Sequence, residues 1–183
     1  TNLRMADVAI INKIDSADPL EVEKVKKTVA AINPKARLIM ANSPIVVDDA
    51  EAIAGKKVLV VEDGPTLTHG DMAYGAGVIA AEKLGAAELI DPRPYAVGTI
   101  KDTFAKYNHI SRLLPAMGYG KTQIEELEKT INDSPAELVV IGTPIDLRRI
   151  MKLDKPALRV RYDLEEVGKK ELAEILAGVV AAN

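Results

Sequence analysis

Nine consecutive residues, Glu62-Asp63-Gly64-Pro65-Thr66-Leu67-Thr68-His69-Gly70, followed shortly by Tyr74-Gly75-Ala76-Gly77, concentrate groups that can do chemistry. Gly70, Gly75 and Gly77 allow positive φ and let bare backbone N–H groups approach an anion, and a helix N-terminus behind them adds partial positive charge. Thr66 and Thr68 suit donation to phosphate or carboxylate oxygens. His69 suits proton transfer near neutral pH, and Glu62 with Asp63 suits Mg²⁺, Asp63 doubling as a candidate base. The same residues also fit a tight structural loop, in which Asp63 and Thr66 cap backbone groups, His69 meets a buried carbonyl and the glycines allow close packing. Two further clusters stand beside this one. Asp91-Pro92-Arg93-Pro94-Tyr95 offers Arg93 on a stiff loop, a shape suited to bidentate anion binding; Gly142-Thr143-Pro144-Ile145-Asp146 offers Thr143 and Asp146 after a strand. Both equally suit solvated turns with helix caps.

A second kind of chemistry is suggested by Asn12-Lys13-Ile14-Asp15, directly after the apolar run Val8–Ile11. Ligand groups gather at the carboxyl ends of parallel strands. The four residues resemble the N-K-x-D guanine-specificity motif of P-loop GTPases, which implies that Asp15 reads the base, Asn12 ties the neighbouring loops and the Lys13 stem lies along base or ribose. Ala41-Asn42-Ser43 stands where such proteins back the base with a backbone N–H, so Ser43 joins the set. The alternative is a turn capped by Asn12 and Asp15. Only eleven residues precede Asn12, too few for a phosphate cradle and Mg²⁺ ligands. Gly120-Lys121-Thr122 ends like a phosphate loop, but Pro115 occupies the position of its first glycine; the segment reads as a helix start with Thr122 as cap. The chain is therefore expected to be the later part of a longer protein.

The elements that must position these groups alternate between β-rich apolar runs and amphipathic helical stretches. Strands are expected at Val8–Ile11, 37–41, 58–61, Leu138–Ile141 and 158–162, with a short one at 88–90. Asp18 and Pro19 open a helix carrying Val22, Val25, Val29 and Ile32, which Pro34 stops. Thr122 and Glu125 form a capping-box pattern before Ile124, Leu127 and Ile131. Leu172, Ile175, Leu176, Val179 and Val180 make one stripe of a last helix. The expected class is α/β, a mostly parallel Rossmann-like or P-loop-type sheet flanked by helices. The acidic stretch Asp48, Asp49, Glu51 ending at Gly55 marks either a domain boundary or a surface helix between two strands of one sheet. The boundary reading gives 1–54 as the end of a P-loop GTPase-like domain and 55–183 as an α/β domain with the glycine-rich ligand loop.

Composition narrows the classes. The 183 residues are 48% apolar and 28% charged with net charge −3, enough to bury a core. No cysteine excludes disulfides, thiolate metal sites and cysteine nucleophiles, and suits a reducing compartment. No long apolar run or leader pattern is visible, so no membrane partner and a cytoplasmic location are expected. With 3% aromatic residues and scattered basic ones, nucleic acid is not an expected partner.

Asn12-Lys13-Ile14-Asp15, residues 62–77 and 91–94, Leu114-Pro115-Ala116-Met117-Gly118-Tyr119 and residues 142–147 together resemble the C-terminal part of predicted GTPases related to cyclic 2,3-diphosphoglycerate synthetase. The resemblance spans nearly the whole chain. It implies GTP and Mg²⁺ as cofactors of the full-length protein, an upstream P-loop, and nucleotide-dependent phosphoryl transfer to a small phosphorylated or carboxylated acceptor. Asn12, Lys13, Asp15 and Ser43 would hold the nucleotide. Thr66, Thr68, Gly70, Gly75, Gly77, Arg93, Thr143 and Asp146 would hold the acceptor, with His69 and Asp63 catalytic and Glu62 and Asp63 on the metal. The fragment alone is expected to be inactive, and a homo-oligomer is compatible with it. The alternatives are a regulatory GTPase switch or a non-catalytic ligand-binding module.

Overall fold

The computed structural model describes residues 2–69, 74–110 and 112–181, the His69 side chain excepted. In chain order the elements are α1 (Asn2–Met5), β1 (Val8–Ile11), α2 (Pro19–Ile32), β2 (Arg37–Asn42), β3 (Ile45–Val47), β4 (Lys57–Asp63), α3 (Gly64–His69) and α4 (Ala76–Lys83). They continue with β5 (Glu88–Leu89), α5 (Gly98–Lys106), β6 (Leu114–Ala116), α6 (Lys121–Asp133), β7 (Leu138–Ile141), β8 (Ala157–Tyr162), β9 (Glu165–Glu166) and α7 (Leu172–Ala181). Short 3-10 turns cover Glu51–Ile53, Arg93–Tyr95 and Leu147–Arg149. The fold is α/β, with two sheets flanked by helices and parallel pairing predominant. The chain divides into two compact units, Thr1–Pro44 with Tyr162–Asn183, and Ile45–Arg161.

The first unit holds a three-stranded sheet in the order β1, β2, β9. β1 and β2 run parallel, Val8 opposite Arg37 through Ile11 opposite Met40, and β9 returns antiparallel with Glu165 opposite Asn42. The Asp18 carboxylate accepts from Leu20 N at 2.8 Å and Pro19 occupies the first helical position, which starts α2 as the sequence predicts. Asn33 ends it. Its N–H donates to the Val29 carbonyl and its amide donates to the Leu3 and Ala6 carbonyls, tying α1 to the end of α2. The Glu166 carboxylate accepts from Glu171 N and Leu172 N and caps α7.

The second unit is built on a six-stranded sheet ordered β3, β8, β7, β4, β5, with β6 also on β4. β7 covers one edge of β4; β5 pairs with Lys57 and Val58 at the other edge and β6 pairs further along with Val61 through Asp63. Val58 to Val61 and Val139 to Ile141 are wholly buried, as parallel strands with helices on their faces must be. The contiguous apolar core, from Ile53 to Val160, is drawn entirely from this unit. Asp48 sits at a crossing of charges: Arg148 reaches it at 3.2 Å and Arg161 at 3.0 Å, while Arg148 also holds Asp146 at 2.8 Å.

Several elements differ from the sequence expectation. Residues 64–69 form a helical turn rather than a loop, because the Asp63 carboxylate accepts from both the N–H and hydroxyl of Thr66. α6 begins one residue before Thr122, with Gly120 as the cap residue and its N–H donating to Gln123 Oε1 at 3.1 Å. β3, β6 and β9 were not expected; each is three residues or fewer. The acidic stretch 48–55 lies inside the second unit, and 162–183 joins the first through β9, so the units differ from a single break after residue 54.

Candidate functional site

β4 ends on two carboxylates at the carboxyl end of its sheet, where β6 and β7 end beside it. Glu62 is 4% exposed. Its Oε1 accepts from Gly77 N at 2.7 Å and Val78 N at 3.2 Å, in the first turn of α4. The glycines around it exist to make room for it. A Cβ on Gly142 would stand 2.4 Å from Glu62 Oε2, one on Gly75 2.6 Å from the same oxygen, and one on Gly77 2.7 Å from a Val60 methyl and 3.0 Å from Oε1. The anion at the helix N-terminus is therefore the chain's own carboxylate. Burial pushes the Glu62 carboxyl up to about 7, against the two backbone N–H bonds that favour its charged form, and the Asp63 charge adds to the rise.

Asp63 lies beside it with Oδ2 accepting from Thr66 Oγ1 at 2.7 Å and Thr66 N at 3.3 Å. Among the described residues neither Glu62 nor Asp63 has a Lys or Arg within ion-pair distance. The loop after β6 brings Tyr119 to the same place. Burial first, and the Asp63 charge, hold its phenol above the usual value, and the adjacent Thr143 hydroxyl acts the other way. Thr143 follows β7, and its own hydroxyl donates to the Ile145 carbonyl at 2.6 Å. Tyr119 is not among the residues expected from the sequence to act. The signal available for it was its place in the singled-out segment 114–119, two residues past Met117, whose sulfur packs on Gly64.

Of the residues expected to act, Glu62, Asp63, Thr66, Gly75, Gly77 and Thr143 gather here. The Thr68 hydroxyl donates back to the Gly64 carbonyl at 3.1 Å, within its own helix. Gly70 and the His69 side chain lie outside the described residues. Arg93 stands apart, its guanidinium on Asp91 at 3.0 Å and on the Ile110 carbonyl, and above the Phe104 ring. Asp146 caps the 3-10 turn after β7 and binds Arg148, which holds its carboxyl below the usual range. A groove of about 640 Å³ in the same unit is lined by Arg148, Arg149, Lys152 and Lys155 with Glu128, away from the Glu62 cluster. Among the described residues no three His, Cys, Asp or Glu side chains come together as metal ligands, and no helix is long and apolar enough to cross a membrane.

The first unit gathers the other expected set. Asn12 Oδ1 accepts from Lys13 N at 2.8 Å, and Lys13 takes a positive φ of 61°. Ile14 N donates to the Ala41 carbonyl at 3.2 Å and Ser43 N donates to Asp15 Oδ1 at 3.3 Å, so the loop is laced to the end of β2. The Lys13 ammonium lies 4.7 Å from the centre of the Tyr162 ring. Within the chain, these residues serve as a closed turn.

No family model matches the chain. Arginine synthetase ArcE of Thermococcus kodakarensis is 61% identical to it over 176 residues, covering 96% of this chain and 39% of that protein. The chain thus spans about two fifths of the length of the curated relative it matches. This finding corrects the family expected from sequence: the relative is named neither as a GTPase nor as a cyclic 2,3-diphosphoglycerate synthetase, and the GTP-binding and phosphoryl-acceptor readings built on that resemblance fall with it. The physical reason lies in the motif. N-K-x-D is four residues whose Asn and Asp also favour a capped turn, and they make one here.

Proposed function

We propose that the chain is part of an enzyme that makes arginine, and that the Glu62 cluster meets the nitrogen-bearing head of its amino-acid ligand. The observation that carries this reading is the 61% identity, over nearly the whole chain, to an arginine synthetase. The chemistry of the cluster supports it. A guanidinium is always charged and only donates hydrogen bonds, so carboxylates recognise it. Glu62 and Asp63 supply two carboxylates beside one another, with no basic side chain paired to either among the described residues. Thr66 fixes the direction of Asp63, and the α4 amides fix Glu62.

Making arginine from an amino acid one carbon–nitrogen bond short of it forms that bond at a carbon whose bond to oxygen breaks. The oxygen leaves once the nucleoside triphosphate has activated it, and the attacking nitrogen must lose a proton. A carboxyl poised near 7 takes up and returns protons at neutral pH, and Glu62 is such a group at the end of β4. The absence of cysteine accords with a reducing, cytoplasmic setting.

The test is arginine formation by the full-length parent chain, followed by mass spectrometry, from amino acids one carbon–nitrogen bond short of arginine and supplied with a nitrogen donor and a nucleoside triphosphate. Arginine should accumulate, and Glu62→Gln should lower kcat by about 100-fold or more. No arginine under any of these conditions, or an unchanged rate in the Glu62→Gln variant, would overturn the reading.

A further inference from the structure

Large apolar side chains that reach solvent are concentrated in one region. Among the described residues, all of them except Tyr74 and Ile145 lie in the first unit. The sheet of that unit has three strands, and β1, a run of Val, Ala, Ile and Ile, has no described strand on its outer side. Parallel strands of this composition are ordinarily covered on both faces, and a free edge offers its N–H and C=O groups to another strand. β1 carries no proline or charged side chain to blunt that edge.

One face of the unit combines the edge with an apolar helix. The register of β1 on β2 sets Ile10 beside Ile39, and alternation puts Arg37 on the same face. Arg37 pairs with Glu171, which brings the head of α7 to that face. Ile39 is buried there, whereas Ile10, one strand nearer the edge, is 40% exposed. α7 is apolar apart from Glu174 and buries none of its residues, and Leu176 and Val180 are each more than half exposed. A helix apolar on all sides belongs in a protein interior. A lipid surface does not suit it, because its ten residues include no Lys or Arg of the kind that lines the polar face of interfacial helices.

We propose that the part of the parent chain outside residues 1–183 docks on this face, adding a strand along β1 and covering Ile10, Leu176 and Val180 with an apolar surface. In arginine synthetase ArcE the matched part is 39% of the protein, which leaves a partner of ample size on the same polypeptide. A tethered segment meets the face at a far higher effective concentration than a second copy does. Removal of this apolar surface from water supplies the driving force. The proposal does not depend on the arginine reading.

The experiment uses the full-length parent chain with a photoreactive benzophenone amino acid in place of Val180, and separately of Ile10, the cross-linked peptides being identified by mass spectrometry. Both positions should join segments outside residues 1–183 within a single chain. In the unsubstituted parent, hydrogen exchange should find the β1 and α7 amides slowed about 100-fold or more relative to an unfolded chain. Cross-links to a second copy, seen at twice the mass, would overturn the proposal. So would cross-links confined to residues 1–183, a lack of cross-links at both positions, or rapid exchange along β1 and α7.

Discussion

Both units set polar loop residues at the carboxyl ends of parallel strands, yet they support them differently. In the second unit β4 and β7 have no exposed apolar residue, and large apolar side chains reach solvent chiefly at Tyr74 and Ile145. In the first, α2 buries only Val29, while Leu20 is 72% exposed and Val180 of α7 78%. The consequence is chemical. Asp15 is laced by a single backbone N–H at the end of a thin sheet, whereas Glu62 is walled by three glycines and a helix start that strip its water. That dense, dry packing is what moves the Glu62 carboxyl far from its solution behaviour.

The contrast can be broken at several points. Leu59→Ala, in the wholly buried centre of β4, should cost about 4 kcal/mol in urea unfolding. A loss under half of that would show that the second unit is not the denser one.

Next is the titration of Glu62. Its folded value, about 7, lies above the ordinary 4.5. The folded state therefore holds the proton more tightly, so the contribution is fully present below pH 4.5 and is lost as pH rises through 7. That loss is on the order of 3 kcal/mol. Unfolding free energies measured from pH 4.5 to 8 should show it in wild type and lack it in Glu62→Gln. A shared pH slope in both would sink the assignment.

The first unit should respond weakly by comparison. Asp18→Ala removes the α2 cap and should cost about 1 kcal/mol in the same urea experiment. Leu20→Ala, on an exposed position, should stay within about 0.5 kcal/mol. If Leu20→Ala approached the loss at Leu59, its face would have to be covered in solution.

Much of this architecture was legible in the residues. The runs Val8–Ile11 and Leu138–Ile141 are strands with those bounds, and Asp18-Pro19 opens α2 as its chemistry demands. β6 was hidden because Pro115 sits in its middle, a residue that argues against a strand unless it lies at an edge. α3 was hidden by its Gly-Pro start. At the site, the types Glu62, Asp63, Thr66 and Thr143 were readable and do converge. What could not be read is that Gly142, eighty residues from Glu62, leaves space for the same carboxylate as Gly75 and Gly77. Such a relation exists only in the parallel pairing of β4 with β7. The Asn12 loop shows the opposite failure: its local geometry is what its residues favour, but four residues carry too little to name a family.

The linked charges Asp146, Arg148, Asp48 and Arg161 join the end of β7, the approach to the Glu51–Ile53 turn, and β8. At room temperature such half-exposed ions gain little from one another, because water solvates them nearly as well. Heating changes the balance, since ion hydration carries unfavourable entropy and weakens as temperature rises. This edge of the sheet is consequently held more firmly hot than cold, the reverse of what loosening hydrogen bonds would do to an edge strand without charges.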